Sequence, residues 1–503
     1  MHTLPASVRD VAARTPLAPA MVDGEQRITY AGFWQASNAF AAWLRDDGLQ
    51  RGDRVALILP NSIGAAVALY GIWLAGGIAV PLNAQARARD LAPWLTHAGA
   101  TSVIHVEGHA DALAAMDASD ANIRRIGLQL LRDLTTLPRN VDDDVHAGDV
   151  PELSDAALIV YTSGTTGAPK GVTLSHANLA SNAAAVVSYL GLGTGDSVLS
   201  ILPFYYVYGA SVLHTHLVSG ACVHLAENLL FPHLIVEYLQ QQDITGFSGV
   251  PSTFALLLDR VALADYPLPR LRYLTQAGGA MGSTLTGRLR TALPRQALFV
   301  MYGQTEATSR LTWLPPERLD DKAGSVGIPI DGVRLRIVRE DGTPADPGET
   351  GQVHAQGPGT MLGYWRDPEA TARTLHDGWL ATGDIGHLDD DGFLFLEGRR
   401  SDMIKTGAHR VYPGDIEEAI AELQGVSGVA VVGVDDDTLG QVVKAYVVAD
   451  PVQPPSVDAI KRHCRARLAA YKIPRQIEFI ATLPLTASGK IRRAALTQRT
   501  ETT

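Results

Sequence analysis

Short apolar runs that alternate with amphipathic stretches fill most of the first 400 residues. Residues 54–59, 102–106 and 298–301 are typical of these runs and are rich in Val, Ile and Leu. Runs of this length between helical patterns predict strands and helices that alternate along the chain. This alternation favours an α/β fold of layered subdomains with largely parallel sheets.

Residues 330–400 have a different pattern. Short apolar segments such as 333–338 are separated there by the turn signals Asp341-Gly342 and Asp391-Gly392. Dipeptides of this kind favour tight connections between neighbouring strands. We therefore predict a small antiparallel β subdomain at the end of the larger unit.

The pattern changes again after about residue 401. The predicted elements are a helix at 413–423, strands at 429–434 and 442–448, a helix at 456–468 and a strand at 476–479. They form a compact α+β unit. We predict a large N-terminal domain over residues 1–400 and a small C-terminal domain over residues 401–503.

Composition narrows the class of protein. Hydrophobic residues make up 46% of the 503 residues and charged residues 19%, as in a soluble globular protein. The net charge of −11 opposes binding to nucleic acid or to anionic membrane surfaces. Two cysteines give neither a disulfide framework nor a zinc pattern, so we expect a reducing, cytoplasmic location.

One uncharged stretch, residues 63–82, resembles a membrane span at first sight. Gly76, Gly77 and Pro81 interrupt it, and about 13 helical residues reach only roughly 20 Å. The start of the chain also lacks the basic and apolar pattern of a signal peptide. We expect a buried helix followed by a buried strand, and no stable membrane insertion.

The most informative polar segment is residues 161–170, Tyr-Thr-Ser-Gly-Thr-Thr-Gly-Ala-Pro-Lys, which follows the apolar run 156–160. Its glycines permit a tight turn and close approach of a ligand. Its hydroxyl and N–H groups can surround one anion, and Lys170 adds a positive charge. The segment suits a polyphosphate, although it is not a Walker A loop. Taken alone, it is equally typical of a polar surface loop.

Residues 301–306 follow a predicted strand and suit a bound nucleotide. Gly303 permits a sharp turn, and Tyr302 offers a flat face for a purine. Thr305 can bind a phosphate oxygen. Glu306 can hold Mg²⁺, which prefers carboxylates together with substrate phosphates.

Three further segments fit the same chemistry. Residues 276–280 provide backbone without large side chains, which suits close approach by a flat ligand. Asp384 follows a turn and can accept hydrogen bonds from ribose hydroxyls, while Arg399 adds a cation at the domain border. Lys490 lies on a Gly/Ser-rich loop that can reach inward, with a solvated tail lysine as the alternative.

The motifs at 161–170, 302–306, 382–384, 398–405 and 484–490 occur in the order found in adenylate-forming acyl-CoA synthetases. The chain resembles this superfamily, which includes luciferases and peptide-synthetase adenylation domains, from residue 28 to Lys490. The resemblance implies an adenylation domain followed by a mobile C-terminal domain. It also implies two steps: a carboxylate attacks the α-phosphate of MgATP, and a thiol, usually of CoA, then displaces AMP.

The resemblance also implies roles for individual residues. Lys490 bridges the attacking carboxylate and the α-phosphate in the first step only, Thr305 meets the α-phosphate, and Glu306 binds Mg²⁺. Asp384 and Arg399 hold the ribose. The implied nucleotide-binding and thiol-tunnel residues are Thr162, Ser163, Gly164, Thr165, Thr166, Gly167, Lys170, Gly278, Gly279, Ala280, Tyr302, Gly303, Gln304, Asp384, Arg399, Lys405, Gly407 and Ala408.

Two positions depart from the family pattern. Ser401 occupies the hinge about which members rotate the small domain, where Asp or Lys is more usual; a small residue can absorb the change. Ala408 occupies a position beside the pantetheine tunnel that is usually Gly. Either the methyl group is tolerated, or it slows the second step or changes the acceptor.

Residues 203–209 lie where the resemblance places the wall of the acyl pocket, and Phe247, Val250 and Gln276 are predicted to share it. Amino-acid-activating relatives have Asp where Tyr206 stands, to pair with the ammonium group. Without it, an ammonium would be buried unpaired, so an uncharged acyl or aryl acid is favoured. The aromatic residues are equally typical of core packing.

Several histidines suggest a metal site, namely His214, His216, His224 and His233. No carboxylate completes a ligand set at suitable spacing, so ordinary core or surface histidines are favoured.

Three functions remain open. The first is an AMP-forming acid–CoA ligase with ATP, Mg²⁺ and CoA. The second is a ligase that loads the acyl group onto the phosphopantetheine of an acyl carrier protein, or onto an amine. The third, a noncatalytic nucleotide-binding protein, is opposed by the presence of Glu306 and Lys490. Arg410, Arg465, Lys472 and Arg475 are candidates for binding the 3′-phosphate of CoA.

Overall fold

The computed structural model describes residues 1–119, 122–136, 151–162, 170–226, 231–407, 409–436, 438–485 and 491–501. Its helices are α1 (Leu4–Arg14), α2 (Tyr30–Asp46), α3 (Ile63–Leu74), α4 (Ala88–Ala98), α5 (Ala110–Ala118), α6 (Leu128–Thr136), α7 (His176–Leu190), α8 (Val207–Ser219), α9 (Pro232–Gln241), α10 (Pro251–Arg260), α11 (Ser283–Ala292), α12 (Pro368–Thr374), α13 (Pro413–Ala421), α14 (Val457–Arg467) and α15 (Arg493–Glu501).

The strands before the predicted domain border are β1 (Pro19–Asp23), β2 (Gln26–Thr29), β3 (Arg54–Ile58), β4 (Ile78–Pro81), β5 (Ala100–His105), β6 (Arg124–Gly127), β7 (Ala156–Thr162), β8 (Lys170–Ser175), β9 (Ser197–Ser200), β10 (Cys222–Leu225), β11 (Gly246–Gly249), β12 (Tyr273–Gln276), β13 (Ala297–Tyr302), β14 (Thr312–Leu314), β15 (Ser325–Pro329), β16 (Arg334–Val338), β17 (Gly351–Gln356), β18 (Gly363–Tyr364), β19 (Leu375–His376), β20 (Trp379–Leu388) and β21 (Leu394–Arg399). Those after it are β22 (Ile404–Thr406), β23 (His409–Val411), β24 (Val426–Asp436), β25 (Gly440–Ala449) and β26 (Gln476–Phe479).

The longest sheet joins parallel and antiparallel strands. Its described strands run in the order β16-β17-β20-β21-β15-β14-β13-β12-β11-β9-β10-β1-β2, with β19 beside β20. Strands β13, β12, β11, β9, β10 and β1 are parallel neighbours. The carboxyl ends of parallel strands share one edge, where ligands bind in open α/β sheets. The segments after β9, β11, β12 and β13, which contain Tyr206, Val250 and the predicted site residues at 278–280 and 303–306, therefore meet there.

A second sheet has the order β18-β8-β7-β4-β3-β5-β6. Strands β7 and β8 form an antiparallel hairpin in which Thr162 lies opposite Lys170. Strand β18 then pairs with β8, so that Tyr364 lies opposite Val172. The sheet thus positions both ends of the predicted phosphate loop.

The third sheet contains β23-β22-β25-β24, with β26 parallel to β25. Helices α13 and α14 cover a core that includes Ile416, Ile420, Ile460 and Val431. These strands and helices have the α+β composition predicted for the end of the chain. The exact border at residue 400 stays a prediction.

The uncharged stretch at residues 63–82 forms the buried helix and buried strand that the sequence predicts. Helix α3 is buried along Ile63 and residues 65–74, and every residue of β4 is buried. Across the described ranges, no helix is long and apolar enough to cross a membrane.

The antiparallel pairing predicted for residues 330–400 is present in β16, β17, β20 and β21. These strands also continue the parallel sheet through β15 and β14, which the sequence did not indicate. Strand β24 is longer than the predicted 429–434, because its register with β25 continues from Val426 to Asp436.

Candidate active site

The predicted phosphate loop connects the two strands of a hairpin. Thr162 ends β7, Lys170 begins β8, and the two residues are register partners. The residues between them lie outside the described residues, and they include the predicted Ser163, Gly164, Thr165, Thr166 and Gly167. A short loop on a rigid hairpin is a suitable frame for backbone groups that converge on one anion.

Lys170 and Glu306, two predicted site residues 136 positions apart in sequence, are connected by Tyr364. The Tyr364 hydroxyl donates a hydrogen bond of 2.9 Å to Glu306 Oε1. Lys170 Nζ lies 5.3 Å from the centroid of the Tyr364 ring, within the range of a cation–π contact. Burial and the neighbouring Glu306 raise the pKa of Tyr364, so its hydroxyl keeps the proton that it donates.

Glu306 lies in a short 3-10 turn, Thr305–Ala307, directly after β13. The chain turns back so sharply that a Cβ atom on Gly303 would lie 2.0 Å from the carbonyl oxygen of Ser309. Only glycine fits this position without displacing backbone. The turn places Thr305 and Glu306 at the carboxyl edge of the parallel strands, as the sequence predicted for a nucleotide-binding segment.

Asp384 and Arg399 are register partners on β20 and β21. Arg399 Nε lies 3.2 Å from Asp384 Oδ1. The other carboxylate oxygen, Oδ2, accepts a hydrogen bond of 2.6 Å from the Tyr302 hydroxyl. Asp384 is buried and Arg399 is exposed, which leaves the arginine accessible to a ligand. The adenine-stacking role of Tyr302 stays a prediction, but the structure adds a contact through which Tyr302 orients Asp384.

The glycine-rich segment after β12 borders this site. Gln276 is fully buried and its Nε2 donates a hydrogen bond of 2.8 Å to the Gly279 carbonyl. A Cβ atom on Gly278 would lie 3.2 Å from a methyl group of Val250, which precedes α10. Gly279 and Ala280 are exposed. Their bare backbone therefore fits the predicted close approach of a flat ligand.

The predicted acyl-pocket residues divide between surface and core. Tyr206 precedes α8 and its ring lies 4.5 Å from that of Tyr205. Phe247 is buried and packs edge-on against Phe254 at 6.0 Å, within the core beneath the sheet. Their roles in acid binding stay predictions.

A small cavity lies beside the first turns of α8. The residues that line it are Leu158, Leu179, Asn182, Ala183, Val207, Ala210, Ser211, His214 and Thr308. It is largely apolar and has room for about one water molecule, so it is far smaller than a typical small-molecule site. Because Thr308 lies three residues after Thr305, the cavity borders the predicted nucleotide-binding turn.

The C-terminal residues predicted at the thiol tunnel form an exposed hairpin. Lys405 and Gly407 lie on it, with the Gly407 amide donating to the Leu439 carbonyl at 2.8 Å. Ala408 and Lys490 lie outside the described residues. The segment that contains Lys490 is closed at its base by an antiparallel bridge between Leu485 and Ile491.

Three of the four cations considered for CoA binding form ion pairs. Arg410 pairs with Glu340, Lys472 with Asp415, and Arg475 lies 3.8 Å from Asp436. The Arg410 side chain is about half exposed, so this pair is exchangeable at little cost. A role in CoA binding stays a prediction for all four.

The carboxylate of Glu306 fits Mg²⁺, a hard cation that takes oxygen ligands. The Tyr364 hydrogen bond occupies one position on Oε1, and a carboxylate retains several more lone pairs. Among the described residues, no group of three His, Cys, Asp or Glu residues is arranged to hold a metal by itself. A bound metal would therefore need ligands from the substrate, as expected for MgATP.

The histidines are structural within the described part of the chain. His214 contacts the Tyr70 hydroxyl at 3.2 Å, His216 the Tyr273 hydroxyl at 2.6 Å, and His224 the Tyr238 hydroxyl at 3.0 Å. Burial lowers the pKa of His214 to about 3 and that of His216 to about 4, so both are neutral near pH 7.

The sequence analysis missed two residues of this region, Tyr364 and Arg310. Tyr364 lies in a two-residue strand. Its position between Gly363 and Trp365 was the only feature of the sequence that could have marked it as a site residue. Arg310 follows the 3-10 turn and is buried. A single arginine between polar and apolar residues gave no signal of burial.

Comparisons with known proteins give matches over nearly the whole chain. The family model of the AMP-binding enzymes matches residues 8–365, and that of their C-terminal domain matches residues 415–490. A 2-succinylbenzoate–CoA ligase of Geobacillus kaustophilus is 32% identical, over 99% of this chain and 98% of its own length. A feruloyl-CoA synthase of an Amycolatopsis species is 33% identical, over 97% of each chain.

Solved structures show the same fold. A Bacillus subtilis O-succinylbenzoate coenzyme A synthetase in complex with ATP and a magnesium ion superposes with a TM-score of 0.86. It is 28% identical, and the match covers 97% of this chain and 98% of that one.

Proposed function

The chain belongs to the AMP-binding enzymes, and from this membership we propose that it is an AMP-forming acid–CoA ligase. The curated relatives are named as CoA ligases for aryl and long-chain acids, and they match this chain over nearly its full length. In the proposed reaction a carboxylate oxygen attacks the α-phosphorus of ATP and pyrophosphate leaves. The CoA thiol then attacks the acyl carbon, and AMP leaves.

The contacts among Lys170, Tyr364 and Glu306 are the observation that carries this proposal. They join the hairpin of the phosphate loop to the turn after β13. The cation lies over the Tyr364 ring and the carboxylate at its hydroxyl, which suits the β- and γ-phosphates and their metal, respectively. Mg²⁺ bound at Glu306 would neutralise charge on those phosphates.

The remaining residues position the nucleotide. Asp384 accepts hydrogen bonds from the ribose, Arg399 supplies positive charge beside it, and Tyr302 fixes the orientation of Asp384. Lys490 approaches the α-phosphate from the C-terminal domain and stabilises charge in the first step. Such adenylyl transfer needs mainly positioning and charge stabilisation from the protein.

We place the acid at the carboxyl edge of the parallel strands, beside the predicted pocket residues Tyr206, Val250 and Gln276, and CoA at the exposed Lys405 hairpin. The C-terminal domain, residues 401–503, rotates about Ser401 between the two steps. The names of the curated relatives support CoA as the acceptor, and none of those named here supports a carrier protein.

Incubation with ATP, a panel of organic acids, and either CoA or a phosphopantetheine carrier protein tests the proposal. Mass spectrometry should detect AMP, pyrophosphate and acyl-CoA for at least one acid. The variant Asp384→Ala should abolish all three products and serves as the negative control. The proposal fails if no acid promotes exchange of labelled pyrophosphate into ATP.

A further inference from the structure

Arg310 is a buried cation with no carboxylate partner among the residues that the structure describes. Only 3% of the residue is exposed. Within the described ranges, no carboxylate oxygen lies within the 4.0 Å of an ion pair with its guanidinium. Arginine is almost never buried without a partner, because removing a charge from water is costly. The position therefore requires an explanation.

The groups that surround the Arg310 guanidinium are all uncharged. Nη1 donates to the hydroxyl of Ser309, and Nε lies 3.3 Å from the Met301 sulfur. Cζ lies 4.2 Å from the centroid of the Tyr208 ring. A cation–π contact and neutral acceptors offset part of the desolvation cost. None of the described residues supplies a counter-ion for the positive charge itself.

Arg310 contacts residues around the cavity beside α8 without lining it itself. It also lies near the predicted acyl pocket, because the Tyr208 hydroxyl donates to the carbonyl of Thr275 at 2.9 Å, next to Gln276. Tyr208, on which its guanidinium stacks, follows the cavity-lining Val207. Asn182, which also lines the cavity, donates from Nδ2 to the Arg310 carbonyl at 3.0 Å. Thr308 lines the cavity two residues before Arg310.

The backbone between Glu306 and Arg310 is held in an unfavourable conformation. Thr308 has φ = +65°, which is rare for a β-branched residue. Its hydroxyl donates to the Gly359 carbonyl at 2.6 Å and thereby fixes the turn. Strained backbone of this kind is concentrated at ligand sites, where it holds a side chain in place. Here it holds Arg310 against Tyr208.

The only titratable group that lines the cavity, among the described residues, is His214. Its Nδ1 contacts the Tyr70 hydroxyl, and its Nε2 has no hydrogen-bond partner. A neutral imidazole can bind a polar group of a ligand but cannot neutralise Arg310. A negatively charged group of a ligand would supply the counter-ion that the described residues do not.

We propose that Arg310 is a specificity-determining residue that pairs with a second carboxylate of the acid substrate, so that the enzyme activates dicarboxylic acids. One carboxylate is adenylated, and the other lies beside the Arg310 guanidinium. The inference rests on the proposed function. It replaces the expectation of an uncharged acid, which rested only on the missing countercharge for an ammonium group.

Pyrophosphate exchange with matched acids tests this role. Linear acids of four to eight carbons and benzoate-type acids are each compared with the corresponding diacid. The wild-type kcat/KM of the best diacid should exceed that of its monoacid about 100-fold or more. In Arg310→Met, kcat/KM for the diacid should fall about 10²- to 10³-fold, while kcat/KM for the monoacid should change less than about threefold. Arg310→Lys should restore part of the preference.

Arg336→Met is the matched control, because Arg336 also stacks on an aromatic ring, that of Trp379, at 4.2 Å. It should leave the diacid-to-monoacid ratio unchanged. Equal loss for both acids in Arg310→Met, or a wild-type preference for monoacids, overturns the inference. If Arg310→Met is insoluble, the diacid-to-monoacid ratio of kcat/KM is measured in Arg310→Lys and Arg310→Gln instead. Exchange with monoacids alone contradicts only the role of Arg310, whereas exchange with no acid contradicts the proposed function.

Discussion

Tyr364 joins two residues that the sequence predicts separately, and its hydroxyl can be removed without changing the ring. In Tyr364→Phe the Glu306 carboxylate loses its 2.9 Å hydrogen bond, whereas the contact between the ring and Lys170 remains. We expect kcat/KM for ATP to fall about 10- to 100-fold, the effect of a lost hydrogen bond to a charged group. The Mg²⁺ concentration needed for half-maximal rate should rise.

Tyr238→Phe is the control for Tyr364→Phe, since its hydroxyl contacts His224 away from the site. It should leave both values unchanged. An unaltered Mg²⁺ dependence in Tyr364→Phe would show that Tyr364 does not orient Glu306.

Tyr302 tests whether a predicted stacking residue also acts through its hydroxyl. The variant Tyr302→Phe keeps a ring for adenine but removes the 2.6 Å hydrogen bond to Asp384. We expect kcat/KM for ATP to fall about tenfold in Tyr302→Phe and to fall further in Tyr302→Ala. Steady-state kinetics with ATP varied gives both values. Equal activity of Tyr302→Phe and wild type would limit the role of Tyr302 to stacking.

At the scale of elements, the turn after β13 depends on the absence of a side chain at Gly303. A methyl group there would meet the Ser309 carbonyl at 2.0 Å, so Gly303→Ala must displace backbone beside Glu306. We expect a loss of about 2–3 kcal/mol in the free energy of unfolding and a loss of activity beyond 100-fold. Urea unfolding and pyrophosphate exchange measure the two effects.

The control for Gly303→Ala is Gly287→Ala, on helix α11. No atom lies within 4 Å of a Cβ built there, and alanine is the better helix former. It should be neutral or slightly stabilising, with full activity. Wild-type stability in Gly303→Ala would mean that the turn relaxes more easily than its geometry indicates.

The sequence predicts elements well where the hydrophobic pattern is local. The helix–strand pair α3 and β4 follows from one uncharged run broken by glycine, and the C-terminal strands and helices follow from regular periodicity. By contrast, β18 has two residues and is a strand only because it pairs with β8, about 190 positions earlier. Tyr364 was missed for this reason.

Motifs indicated Thr305, Glu306 and Asp384 as candidate site residues, and their roles stay predictions. No motif indicated Arg310, because its burial arises from contacts with Tyr208 and Met301 on distant elements. Local sequence contains no signal for such packing. The same limit applies to Phe247, whose core position depends on α10.

At the scale of the whole molecule, buried neutral histidines make the fold sensitive to acid. Burial lowers the pKa of His176, His216 and His224 to about 4 and that of His214 to about 3. Below pH 6.5 the unfolded chain therefore binds protons that the folded protein does not. Stability contributed by these groups is complete above pH 6.5 and is lost as the pH falls toward 4.

The variant His216→Gln isolates one of these contributions. Between pH 6 and 4.5 the slope of the unfolding free energy against pH should decrease by about 1.4 kcal/mol per pH unit. Urea unfolding at several pH values gives the slope, and His2→Gln, at an exposed position, controls for the substitution itself. An unchanged slope in His216→Gln would show that His216 does not take part.

The two parts of the chain touch through exposed polar contacts. Glu418 on α13 accepts hydrogen bonds from the Ser283 amide and hydroxyl, at 3.1 and 2.8 Å, and Arg410 pairs with Glu340. Exposed contacts of this kind contribute little stability each. They can be exchanged for others at low cost, which is consistent with the rotation that the proposed mechanism requires.

The most direct test of the mechanism separates its two steps in Lys490→Ala. Pyrophosphate exchange should fall about 10²- to 10³-fold, the scale for one lost charge-stabilising group. Conversion of chemically prepared acyl-AMP and CoA to the thioester should proceed at nearly the wild-type rate. Wild-type exchange in Lys490→Ala, or equal loss in both steps, would contradict a C-terminal domain that delivers this lysine for adenylation alone.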